Sequence, residues 1–68
     1  MTVIIEVKYP GENKIIETSG GKTIEEILIE NKIPPDSVVV LKNNRPIPIT
    51  ERVKDGDKIL VIIAFSGG

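Results

Sequence analysis

Three short stretches hold residue types that could do chemistry: Gly20-Gly21-Lys22-Thr23, Asp55-Gly56-Asp57 and the closing Gly67-Gly68. The first has the look of the end of a phosphate loop. The leading glycine of that motif would fall at Ile16, however, and 68 residues do not hold a strand-to-helix nucleotide unit. The second carries two carboxylates, but a calcium loop needs a longer ligand series closed by Glu, so it reads as a turn. The third follows another logic. A main-chain carboxylate that must enter another protein's active site travels best on a thin stem, and glycine has no Cβ to clash there. Two closing glycines arise by chance in about one chain in two hundred. On this reading the reactive group is the carboxylate of Gly68, carried on Gly67.

Absences narrow the field further. With no Cys and no His there is no thiolate nucleophile, imidazole base, disulfide or common zinc site. A chain of this length buries about 60% of its surface, enough for one small core without a deep substrate cavity. Glu25, Glu26 and Glu30 read as a solvated helix face, with Glu26 engaged in capping. A formal charge of −1, one Phe and one Tyr offer nucleic acid neither a basic footprint nor a stacking platform. The expectation is a chain that is no enzyme and binds no metal or cofactor of its own. No signal-peptide pattern opens the sequence, and the apolar run from Ile59 to Phe65 is far short of the ~20 residues of a membrane span. A cytoplasmic location away from membranes is expected.

Thirteen Ile, seven Val and three Leu make the apolar set strongly β-branched, which favours strands. Thr2 to Tyr9 alternates with period two, Pro10 to Asn13 is a turn cluster, and Lys14 to Thr18 returns as a second strand. Thr23 and Glu26 form a capping box at the start of one helix, whose Ile24, Ile27 and Leu28 share a face. Ile33-Pro34-Pro35 ends that helix. Val38 to Lys42 is a short strand, Asn43-Asn44 a tight turn, and Arg45 to Ile49, with Pro46 and Pro48, an edge strand. Lys58 to Phe65 is apolar throughout and belongs at the centre of a sheet, beside the first strand. The sum is an α+β roll: a mixed sheet of four to five strands covered by one helix. Residues 1–65 form the body and 66–68 a flexible tail.

The alternation has a second consequence. If Ile59, Val61 and Ile63 face the helix, Leu60 and Ile62 face away, and so do Ile4, Val39 and Leu41. Five apolar side chains on an uncovered sheet face make a candidate partner-binding patch. Long stems such as those of Glu6, Lys8 and Lys42 are the residues placed to cover it in part.

These stretches resemble a known family. Thr23-Ile24-Glu25-Glu26-Ile27 is similar to the start of the ubiquitin helix, and Ile33-Pro34-Pro35-Asp36 to its exit. Asp55-Gly56-Asp57-Lys58-Ile59, nine residues from Gly67-Gly68, resembles the prokaryotic sulfur carriers. Those are the thiamine-synthesis carriers (ThiS), the small molybdopterin-synthase subunits (MoaD) and the small archaeal modifier proteins. Ala64-Phe65-Ser66 matches no one subfamily. The resemblance spans essentially the whole chain and implies a β-grasp fold, with Leu41 in the position of the ubiquitin recognition patch. It also implies that an E1-like adenylating enzyme, using ATP and Mg²⁺, activates the Gly68 carboxylate. A persulfide on that enzyme or on a sulfurtransferase would then convert it to a thiocarboxylate, which would deliver sulfur to a sulfur-acceptor synthase for thiazole, molybdopterin or tRNA synthesis. The alternatives are a protein modifier joined through Gly68 to target lysines, and a free-standing β-grasp binding module.

Overall fold

In the computed structural model, which describes residues 2–63, the chain opens as a hairpin of β1 (Val3–Tyr9) and β2 (Glu12–Thr18). The strands pair from Val3↔Thr18 to Tyr9↔Glu12, so the connection is Pro10-Gly11 alone and β2 starts two residues earlier than expected. Proline holds φ near about −65° and Gly11 takes φ +88°, the sequence of a type II turn.

The helix α1 (Ile24–Glu30) begins as predicted. The Glu26 amide donates to the Thr23 hydroxyl at 3.1 Å, and the Thr23 amide donates to the Glu26 carboxylate at 2.9 Å. Further amides of the first turn find distant acceptors: Ile24 N–H donates to the Glu51 carbonyl and Glu25 N–H to that of Ile49. The helix ends sooner than the prolines require. Lys32 adopts φ +61°, its amide donates to Ile29 and that of Ile33 to Leu28, a Schellman closure with a lysine in the left-handed position. A 3₁₀ turn (Pro35–Ser37) then leads into β3 (Val38–Lys42).

The two asparagines turn the chain back with φ of +54° and +63°, the paired left-handed geometry of a type I′ hairpin. The following strand β4 (Arg45–Pro46) has two residues instead of the expected five, because Pro46 and Pro48 have no amide to give a ladder. Ile47 keeps one bond, to the Val40 carbonyl. The last strand, β5 (Lys58–Ile63), runs parallel to β1 and antiparallel to β3. Sheet order is β2-β1-β5-β3-β4, which places β5 in the middle. The remainder of its expected span, to Phe65, lies outside the described residues, as do the boundary at residue 65 and the tail 66–68.

One face of the sheet builds the core. Val3, Ile5, Val7, Ile16, Val40, Ile59, Val61 and Ile63 point toward Ile24, Ile27 and Leu28 of the helix, with Ile33 and Val53 closing the ends. Among the described residues no helix is long and apolar enough to cross a membrane.

The capping box makes stability depend on pH in a defined sense. The Thr23 amide, then its hydroxyl, hold the Glu26 carboxyl below the ordinary glutamate value, with Arg52 and Lys22 adding smaller pulls. A carboxylate whose pKa is lowered by folding stabilises the native state above its unfolded pKa, and that help is lost as pH falls through the folded value. Acid melting of Glu26→Gln, which keeps an acceptor but does not titrate, should therefore be flatter than wild type across that window. Parallel curves would show that the box contributes no pH dependence.

Candidate functional site

The sheet face opposite the helix carries every patch residue named from the sequence. Strand pairing sets them in rows: Ile15, Glu6, Leu60, Leu41 and Pro46 lie across one, and Asn13, Lys8, Ile62 and Val39 across the next. Ile4 stands beside Lys58 in a third. Ile4, Leu41, Leu60 and Ile62 are half-buried and Val39 is 45% exposed, whereas inward-facing Val3, Ile5, Val40, Ile59, Val61 and Ile63 are buried. Ile4, Leu41 and Leu60 are side by side around an open concavity of about 360 Å³, with Ile15 on its wall and Glu6, Asn43, Asn44 and Lys58 at its polar rim.

Two residues depart from expectation. Lys42 does not cover this face. It pairs with inward-facing Ile59, and its ammonium reaches Asp57 at 3.3 Å and Glu51 at 3.9 Å on the helix side. The other is Ile15, 56% exposed and absent from the patch as read from sequence. Its signal was the alternation Asn13, Ile15, Glu17, legible once the hairpin turn is confined to Pro10-Gly11.

The remaining motifs are structural. Gly20 N–H donates to Asp55 Oδ1 at 2.9 Å and Gly21 N–H to the Val53 carbonyl at 2.8 Å, so these amides serve protein acceptors rather than a phosphate. A Cβ on Gly20 would stand 2.8 Å from the Asp55 backbone nitrogen, which explains a glycine at this close approach. Lys22 pairs with Glu30 at 2.9 Å. Asp57 Oδ2 accepts from the Lys54 amide, and Gly56 takes φ +91°: Asp55-Gly56-Asp57 is a turn. Among the described residues no cluster of three metal-ligating side chains occurs. Gly67 and Gly68 lie outside the described residues. In sequence they follow β5, whose final described pair is Ile63 with Val38.

Five mixed strands in the order β2-β1-β5-β3-β4, with one helix across a single face, define the β-grasp or ubiquitin-like architecture. Solved structures agree. "Caldiarchaeum Subterraneum Ubiquitin" superposes with a TM-score of 0.63 at 26% identity, covering 100% of this chain and 98% of that one. A ubiquitin-like protein from the hyperthermophilic archaeon Caldiarchaeum subterraneum gives 0.61 at 24%, over 98% and 100% of the two chains, and shows the same fold. Within that architecture the chain belongs to the ThiS family, whose model matches residues 6–68. It is 30% identical over 57 residues to the sulfur carrier protein TtuB of Thermus thermophilus, covering 84% of this chain and 88% of that protein. An uncharacterized protein of Archaeoglobus fulgidus is 35% identical over 66 residues, covering 94% and 97%.

Proposed function

We propose that the chain is a sulfur carrier that works through the carboxylate of Gly68 and is a substrate of its partners rather than a catalyst. The observation that carries this reading is the extent of the family match, which runs to residue 68 and takes in Gly67-Gly68. A carboxylate is a poor electrophile, so an E1-like adenylating enzyme first joins it to the α-phosphorus of Mg·ATP, and pyrophosphate leaves. The sulfane sulfur of a persulfide on that enzyme or a sulfurtransferase attacks the acyl carbon and AMP leaves. A second thiol attacks the resulting acyl disulfide, freeing the Gly68 thiocarboxylate and leaving a disulfide behind. The thiocarboxylate then donates sulfur to an acceptor synthase. None of these steps draws on a side chain of this protein, which fits a sequence without Cys or His.

The outer sheet face is the docking surface for the adenylating enzyme in this scheme. ATP–pyrophosphate exchange by that enzyme should depend on the carrier, and Leu41→Asp or Leu60→Asp should raise the carrier KM. A charge at the centre of an interface costs about 2 kcal/mol or more, which is about thirtyfold. Exchange that ignores both variants would place docking elsewhere.

A second reading is favoured by the ubiquitin likeness at 26% identity. In it a target lysine amine attacks the same activated Gly68 and forms an isopeptide. Both readings share activation and differ in the acceptor, so the product identifies which holds.

A further inference from the structure

We propose that two copies of this chain associate through the open edge of β2, extending the sheet antiparallel across a two-fold axis centred on Ile15. The sheet has two edges, and they are built differently. At one, β4 has two residues and carries Pro46, a blunted end. At the other, β2 presents seven residues without proline or glycine, and among the described residues no strand pairs with its outer side.

The hairpin geometry states which backbone groups are free. The two-residue turn closes on Tyr9 and Glu12, so Glu12 directs its amide to β1, and by alternation so do Lys14, Ile16 and Thr18. Asn13, Ile15 and Glu17 therefore turn their N–H and C=O groups to the open edge. These residues also share the outer sheet face, where Ile15 is 56% exposed.

A second copy fits this edge in one full-length register. With Ile15 opposite Ile15 of the second copy, all seven residues pair, Asn13 faces Glu17 in both directions, Lys14 faces Ile16 and Glu12 faces Thr18. No like charges meet. Sliding by two residues sets Lys14 against Lys14 in one direction and Ile15 against Glu17 in the other, and shortens the ladder. Cross-strand apolar pairs favour the first arrangement and like-charge pairs oppose the second. The centred register also joins the two concavities, because Ile15 forms a wall of each. A contact of two strands is small, so the association belongs to the weak, reversible class.

Sedimentation velocity of the full chain, from micromolar to millimolar concentration, tests this. The weight-average mass should climb from one chain toward two. Ile15→Lys opposes two ammonium groups at the axis and should weaken association about tenfold or more, with thermal melting as a check that the variant is folded. Asn13→Asp discriminates the register. It sets a carboxylate beside Lys8 of its own β1 but opposite Glu17 of the second copy, so association should fall about threefold while the melting temperature does not drop. A mass that stays at one chain throughout, or association that both variants leave unchanged, overturns the proposal.

Discussion

Val61→Asp should unfold the domain, while Leu41→Asp should leave it folded with a small loss of stability. Val61 is fully covered in the middle of β5, facing Val7 on one side and Val40 on the other. A carboxyl there loses water and gains no partner, since among the described residues the core has no buried polar or charged side chain. Leaving a charge buried and unpaired costs about 3–5 kcal/mol. A domain of this size has about 3–10 kcal/mol in total. Leu41 is half-buried on the opposite face, so its aspartate stays hydrated and forfeits about 1 kcal/mol of apolar burial. Thermal melting of the two variants decides the matter: a folded Val61→Asp and an unfolded Leu41→Asp would mean that the faces of β5 and β3 are exchanged.

On the proposed function, the largest functional effect belongs to Gly68. Removing Gly68, or adding residues after it, should abolish sulfur loading while melting stays that of wild type. A shortened chain brings its carboxylate one residue, up to about 3.5 Å, short of the adenylating site. Misplacing a reacting group by about 1 Å can already cost a hundredfold in rate. An extended chain has an amide at Gly68 where the free carboxylate is needed. Loading of the extended protein without trimming would show that another group reacts.

Much of the fold was legible because neighbouring residues agreed. The alternation of β1, the capping box of Thr23 and Glu26, and the Asn43-Asn44 turn are each local patterns with a local cause. The five outward residues followed from strand parity alone, given which face the helix covers. What escaped depends on distant contacts. Val53 has no periodic partner in sequence, yet it is buried because its segment lies along Gly21 and Lys22, exchanging hydrogen bonds with both. The carbonyls of Ile49 and Glu51 satisfy helix amides more than twenty residues away, which no spacing rule announces. Lys42 departs from expectation by parity: it shares the face of Val38 and Val40, pairs with inward-facing Ile59, and its ammonium meets Asp57 there. The helix ends earlier than the sequence predicts because Lys32 occupies a position where glycine is the usual signal. At the candidate site, Ile15 was lost with the hairpin register, while Gly67 and Gly68 were named by composition and position rather than by any contact.

On the proposed function the Gly68 carboxylate becomes a thiocarboxylate. Intact-mass spectrometry tests it most directly, on the protein incubated with the E1-like enzyme of its source organism, Mg·ATP and a persulfide sulfur donor. A mass increase equal to sulfur minus oxygen is expected, located at Gly68 by fragmentation and absent without ATP. An unchanged mass with every adenylating enzyme of that organism would contradict it, and so would sulfur found anywhere but the C-terminal glycine.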